Sequence, residues 1–173
     1  GYHLATGKVP LVYLQNSGQG NTINPLLSLA DRDVYSIPLL LLIGWRGEPG
    51  TKDEPQHVKQ GKVTVNLLEA MDIPCRVLPP EAEAARRCLH ELLAVAESES
   101  RPVALMVRKE TFEPYKSLTH AAGDFEMTRE QAIRGVVAAL GKTDAIVSTT
   151  GKLSRELYEY RSSAGQGHQR GFL

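Results

Sequence analysis

Cysteine is scarce in this chain: its 173 residues hold two, Cys75 and Cys88. Cys75 falls where a short strand should begin and Cys88 in the middle of a helix. The expectation is therefore two buried, reduced thiols rather than a disulfide, and with them a reducing, cytoplasmic setting. Net charge is absent as well. Twenty basic residues balance 20 acidic ones, which argues against non-specific nucleic-acid binding and against docking on an anionic membrane, since both need a basic excess. Long apolar runs are missing: the stretch 39–43 is far shorter than the roughly 20 residues that span a bilayer. No basic start followed by an apolar h-region marks a secretory signal. What remains, 42% hydrophobic and 23% charged, is the usage of an ordinary soluble globular domain.

The elements that are present alternate. Residues 9–14 form a short apolar run, followed by a polar, glycine-rich stretch and then a short helix over 24–30. Residues 37–43 are apolar on both faces, the pattern of a strand covered on two sides in a parallel sheet. Three glycines and a proline make 44–52 a loop. Helical periodicity returns over 58–71, with Val63, Leu67, Leu68 and Met71 on one face. A short strand is expected at 75–78, and a helix over 81–97 carries the stripe Ala85, Cys88, Leu89, Leu92 and Leu93. A buried strand at 102–107 follows. Residues 110–127 keep no period and read as a linker. Thr128, with Gln131 three residues on, has the spacing of a capping box. It opens a helix to about Leu140, followed by a strand at 145–148 and a helix over 152–161. The order βαβαβαβ, then linker, then αβα, predicts an α/β protein: a parallel sheet flanked by helices, then the opening elements of a second α/β unit. Residues 2–7 have the character of a helix end closed by a glycine, and Gly171-Phe172-Leu173 suits entry into a strand. Both ends thus read as a segment from the middle of something larger.

Three stretches carry candidate chemistry. Gln15-Asn16-Ser17-Gly18-Gln19-Gly20-Asn21 follows a buried strand, where open α/β sheets collect ligands. It is neither a Rossmann fingerprint nor a P-loop. A second reading, a tight strand-to-helix turn with Asn21 or Asn24 as its N-cap, stands beside the first. The loop from Gly44 to His57 gathers Arg46, Lys52 and His57 near Glu48, Asp53 and Glu54. Arginine and lysine there can bind a doubly charged anion, and His57 can move a proton near neutral pH. The alternative is a solvated loop with cancelling charges, in which 53–57 caps and begins a helix. Ser148-Thr149-Thr150-Gly151-Lys152-Leu153-Ser154 repeats the strand, turn and helix order. Its hydroxyls and amides suit a phosphate or serve as an ordinary cap. His90 lies in a helix, and His3, His120 and His168 lack partners at metal-ligand spacing, so no metal site is expected.

These same residues carry a resemblance. Gly1-Tyr2-His3-Leu4-Ala5-Thr6-Gly7-Lys8, Val12 to Gly18, Gly20-Asn21, Asn24-Pro25-Leu26, the run from Leu41 to Gly50, and Lys52 to Gly61 resemble the phosphonopyruvate decarboxylase family. Late in the chain, Ser148 to Lys152 with Ser154-Arg155-Glu156-Leu157 continue the similarity. The resemblance implies a thiamine-diphosphate-dependent lyase that converts 3-phosphonopyruvate to phosphonoacetaldehyde and carbon dioxide, the cofactor accepting the electron pair. It implies a pyrimidine-binding-type α/β domain (its C-terminal part) over 1–109, a linker over 110–127 and the start of a diphosphate-binding-type domain over 128–173. It further implies a homo-oligomer, dimer or tetramer, with the cofactor between domains of different subunits.

By position in the family pattern, Asn16, Ser17, Arg46, Lys52 and Asp53 would face the substrate, and His57 would be catalytic. Gly18, Gly20, Thr150, Gly151, Lys152 and Ser154 would face the cofactor. The family's activating glutamate would precede Gly1, and its magnesium-binding Gly-Asp-Gly would lie beyond Leu173; here Gly123-Asp124 is followed by Phe125. The metal ligands are therefore expected outside this chain. Two alternatives stand beside the decarboxylase of phosphonopyruvate: a sulfopyruvate decarboxylase, and a non-catalytic truncated form that associates with complete subunits.

Overall fold

The apolar runs at the centre of the sequence become the centre of a sheet. In a computed structural model that describes residues 1–116, 125–141, 143–149, 151–167 and 171–172, the chain divides into two units, Gly1–Tyr115 and Lys116–Leu173. The first begins with a single helical turn, α1 (Tyr2–Thr6), closed by Gly7 in the left-handed conformation. β1 (Leu11–Gln15) runs into a 3-10 turn over Asn16–Thr22, then the short α2 (Ile23–Pro25) and a wider π-type turn over Leu26–Ala30. β2 (Leu39–Gly44), α3 (Pro55–Ala70), β3 (Cys75–Val77), α4 (Ala82–Glu99) and β4 (Pro102–Val107) complete the unit.

All four strands are parallel, in the order β1-β2-β4-β3. The expected parallel α/β architecture is therefore present, and it is compatible with part of a thiamine-diphosphate-binding fold. The two-residue period of a strand sends alternate side chains to opposite faces, and this divides the core. Leu39, Leu41, Ile43, Ala104 and Met106 meet Leu68 of α3 and Leu26 and Ala30 on one side. Leu40, Val103 and Leu105 meet Leu92 and Ala96 of α4 on the other. β2 and β4 read as continuous apolar runs because both faces are covered. β1 lies at an edge of the sheet, with Leu11 and Tyr13 exposed.

Two details of the turn after β1 depart from the sequence reading. The helix expected over 24–30 is α-helical only at Ile23–Pro25 and widens to a π-type turn over Leu26–Ala30, and neither Asn21 nor Asn24 caps it. The main-chain carbonyl of Asn24 accepts the Ser28 hydroxyl instead, at 2.7 Å. Ser and Thr hydroxyls commonly bond back to the preceding turn in this way.

In the second unit, α5 (Arg129–Ala139) opens with the capping box read from the sequence. The Thr128 side chain accepts from the Gln131 N–H, and the Gln131 side chain accepts from the Thr128 N–H. β5 (Ile146–Val147) pairs in parallel with β6 (Gly171–Phe172), and α6 (Lys152–Ser163) lies between them in sequence. Both cysteines are half-buried free thiols, Cys75 at the start of β3 and Cys88 within α4. Burial pushes the Cys75 thiol up to about 11.

Candidate functional site

Parallel strands end together, and the loops that leave them enclose the site. Gly44 ends β2 between Gln15 of β1 and Val107 of β4. The next N–H, that of Trp45, still donates to the Val107 carbonyl at 2.8 Å. From there the chain stays irregular until Pro55, which stands at the start of α3, where its missing N–H costs nothing.

Asp53 organises that loop. The Arg46 guanidinium reaches its carboxylate with Nε (2.8 and 3.1 Å) and Nη2 (2.5 Å), while the N–H groups of Gly47 (2.7 Å) and Glu54 (2.8 Å) donate to it as well. The guanidinium hydrogen bonds come first among the causes that hold the Asp53 carboxyl well below the usual carboxylate range, and the same pairing raises Arg46. The loop is also pressed against α3. A Cβ on Gly61 would sit 1.8 Å from the Gly47 carbonyl oxygen, and one on Gly47 would sit 2.0 Å from the His57 carbonyl oxygen. Gly47 has a φ of 67°, so glycine is required there for conformation and for space. The Trp45 indole N–H donates to the Gly61 carbonyl at 3.0 Å.

Behind the loop lies a buried polar network. Asn16 is fully buried. Its Oδ1 accepts the Arg46 N–H at 3.0 Å, and its Nδ2 donates to the Arg46 carbonyl at 2.8 Å and to Thr64 Oγ1 at 2.9 Å. Gln60 Nε2 donates to the Asn16 carbonyl at 3.0 Å, and the Thr64 hydroxyl donates to the Gln60 carbonyl at 2.7 Å. Gln19, 1% exposed, donates through Nε2 to the Thr64 carbonyl at 3.1 Å.

In front of the loop is a cleft of about 960 Å³ whose lining includes Trp45, Arg46, Lys52, Asp53 and Arg108. Arg46 is committed to Asp53. Arg108 Nε lies 2.8 Å from Glu48 Oε1, and the Glu48 side chain is only 15% exposed. Lys52 also lines the cleft and is exposed; among the described residues it has no ion-pair or hydrogen-bond partner.

The structure thus brings Arg46, Lys52 and Asp53 together at one cleft. Asn16 lies behind its wall, and His57, half-buried in the first turn of α3, is not among the lining residues. Ser17 is exposed and bonds Gln15 at 2.7 Å. Gly18 lies near Leu14, and a Cβ on Gly20 would meet nothing within 4 Å. In the second unit, Gly151 (φ 113°) precedes α6, whose start has no side-chain cap; Lys152 is exposed, and the Ser154 hydroxyl donates to the Thr149 carbonyl. Thr150 lies outside the described residues. Taken by itself, the uncapped start of α6 suits a bound organic diphosphate. No group of three His, Cys, Asp or Glu side chains among the described residues is placed to hold a metal ion.

Sequence reasoning missed Arg108 as the partner of Glu48, and Gln60 and Thr64 as parts of the site. A signal existed for two of them. Gln60 and Thr64 stand eight and four residues before Leu68, on the stripe of α3 that faces the core, and polar residues there must find buried partners.

A parallel α/β unit with a charged, loop-walled cleft at the carboxyl ends of its strands is the architecture of a small-molecule site. No family model matches the chain. Among individual proteins, it is similar to the phosphonopyruvate decarboxylase of Streptomyces viridochromogenes, 32% identical over 159 residues, which is 83% of this chain and 40% of that protein. The phosphonopyruvate decarboxylase of Streptomyces hygroscopicus is 35% identical over the same length, 83% of this chain and 39% of the relative. Sulfopyruvate decarboxylase subunit alpha of Methanothermobacter thermautotrophicus is 36% identical over 107 residues, 62% of each chain. The resemblance to phosphonopyruvate decarboxylases thus extends over 83% of this chain. The chain spans about two fifths of the length of the phosphonopyruvate decarboxylases it matches.

Proposed function

We propose that this chain is part of a decarboxylase of the phosphonopyruvate decarboxylase type, converting 3-phosphonopyruvate to phosphonoacetaldehyde and carbon dioxide. The observation that carries the reading is the similarity to two such enzymes over 83% of the chain. The cleft supports it chemically. Lys52 offers an uncommitted ammonium to a phosphonate, while the Arg46–Asp53 and Glu48–Arg108 pairs keep the walls in place. Ser17 and His57 are proposed as the neighbouring substrate-facing and proton-moving groups.

Thiamine diphosphate, when bound, would supply the electron sink for loss of carbon dioxide. In the first unit Gly18 and Gly20 are proposed contacts, separately in the second Thr150, Gly151, Lys152 and Ser154 are, and its magnesium would take ligands beyond those described. The relative named as a subunit supports an assembly of more than one chain, for which a homo-oligomer is the proposal. Sulfopyruvate decarboxylation is the second reading, favoured by the 36% identity to that subunit. Both acids pair a 2-oxo carboxylate with a tetrahedral oxyanion, and the phosphonate can carry the greater charge.

Trp45 is the single tryptophan and lines the cleft, so its fluorescence reports occupancy. Titration with 3-phosphonopyruvate should change Trp45 emission, and Lys52→Met should weaken that response about tenfold, as loss of one charge-assisted contact does. A tighter response to 3-sulfopyruvate would favour the second reading. A wild-type chain blind to both acids would reject the cleft as their site.

A further inference from the structure

We propose that Asn16 is a positioning residue of the cleft, a buried amide that holds Arg46 from behind and acts through the Arg46 backbone instead of on a ligand. The functional part of this inference rests on the reading of the cleft as the substrate site. The β1–β2 ladder ends where Gln15 pairs with Gly44. One residue further on, the side chain of Asn16 takes over: its Oδ1 accepts the N–H of Arg46 and its Nδ2 donates to the carbonyl of the same residue, at 3.0 and 2.8 Å. One side-chain amide therefore satisfies both main-chain groups of Arg46 at the point where the sheet no longer can.

The amide is itself held. Its remaining Nδ2 proton goes to Thr64 Oγ1 at 2.9 Å, and the Thr64 hydroxyl proton is already given to the Gln60 carbonyl, which leaves that oxygen free to accept. Gln60 Nε2 fixes the Asn16 carbonyl at 3.0 Å. With its backbone held, Arg46 extends its guanidinium to Asp53, and Asp53 gathers the N–H groups of Gly47 and Glu54. The chain of bonds runs from Asn16 through the Arg46 backbone to three residues that line the cleft, Arg46, Asp53 and Glu54. Only a group with one acceptor and one donor in a fork can do this. A hydroxyl cannot span both main-chain groups, and an ionised carboxylate would face the Arg46 carbonyl with no proton to give.

The test compares Asn16→Asp, Asn16→Ala and Thr64→Val with the wild type in the full 173-residue chain. Two measurements are made: solvent exchange of the Arg46 Nε–H by nitrogen-15 NMR, and Trp45 fluorescence during titration with 3-phosphonopyruvate. At pH 8, Asn16→Asp should lose Arg46 Nε–H protection and bind the acid about tenfold more weakly or worse. Acidification should restore both, because a protonated Asp regains the donor that the Arg46 carbonyl needs. The side chains bonded to residue 16 are those of Gln60 and Thr64, which do not titrate, and Arg46 meets it through its backbone. The Asp53 carboxyl, held low by Arg46, stays ionised through this range, and the profile is read as a difference from wild type, so that groups common to both chains cancel. Thr64→Val, which removes one bond that holds the amide but leaves its fork on Arg46, should lower Arg46 protection and binding less than Asn16→Asp does.

Folded Asn16→Asp and Asn16→Ala chains with unchanged Arg46 protection would overturn the inference. So would a Thr64→Val chain as damaged as Asn16→Asp, combined with no recovery of the latter in acid. If Asn16→Ala does not fold, the acid recovery of Asn16→Asp decides. If the wild type does not respond to the acid, the substrate reading fails, while the Arg46 exchange still decides whether Asn16 positions it.

Discussion

Asp53 is worth most as an acceptor, and its behaviour with pH follows from that. Four donor groups converge on its carboxylate, from Arg46, Gly47 and Glu54, so protonation would remove acceptor capacity from all of them. Its carboxyl is depressed in the folded chain. A group of this kind stabilises the fold fully above its unfolded value of about 3.9, and the contribution is lost as pH falls through the lower folded value. Trp45 emission is therefore expected to stay level from pH 8 to about 4 and to change only below that. A loop transition centred above pH 5 and abolished by Asp53→Asn would contradict this. The Asp53 side chain is legible in the sequence as a charge beside Arg46; its job as the hub of the loop is not, because the backbone N–H groups it collects carry no sequence signature.

At the scale of elements, the loop after β2 and helix α3 form one packed piece at Gly47 and Gly61, while a third glycine, Gly50, only turns the loop. Gly47 is confined by both conformation and space, Gly61 by space alone, and Gly50 by conformation alone. Alanine should consequently have graded effects. At Gly50 (φ 84°) nothing lies within 4 Å of the new Cβ, so the cost is that of a left-handed alanine, about 1–2 kcal/mol. At Gly61 the Cβ would run into the Gly47 backbone, which cannot swing aside like a flexible side chain, and about 3 kcal/mol or more is expected. Gly47→Ala combines both penalties and should be the worst of the three. Urea denaturation of the three variants checks the order; a Gly61→Ala chain as stable as Gly50→Ala would show that the loop is not seated on α3. The Thr128–Gln131 box of α5 offers a contrast. Its spacing was legible in the sequence because every atom it uses lies within four residues, whereas the Gly47–Gly61 contact joins residues 14 apart.

Across the whole molecule, stability is unevenly spread. In the first unit, Ile43, Leu68, Ala96, Val103, Ala104 and Met106 are fully buried, and the sheet is covered on both faces over β2 and β4. Among the described residues of the second unit, Val137 is the single hydrophobic residue in the buried class, and β5 and β6 are two residues each. Local opening free energy follows the density of buried apolar contacts. Amide hydrogen exchange should be slowest in residues 40–43 and 103–106, and faster by at least about tenfold in α5 and α6. Equal protection in the two units would mean that α5 and α6 bury surface against something outside their own unit. No helix among the described residues is long and apolar enough to cross a membrane.

The sequence by itself determined the parallel α/β architecture, the strands at residues 102–107 and around 39–43, the cap of α5 and the gathering of Arg46, Lys52 and Asp53 in one loop. All of these follow from local periodicity, from composition or from neighbours within a few residues. Only the tertiary structure decided which polar residues face the cleft and which stand behind it. The resemblance places Asn16 among the substrate-facing groups. In the folded chain the register of β1 against β2 turns its amide inward onto Arg46, and residues 60 and 64, more than 40 positions away, close over it. A side chain's direction at the end of a strand depends on which strand lies beside it and which helix covers it, and those partners are assembled only by folding.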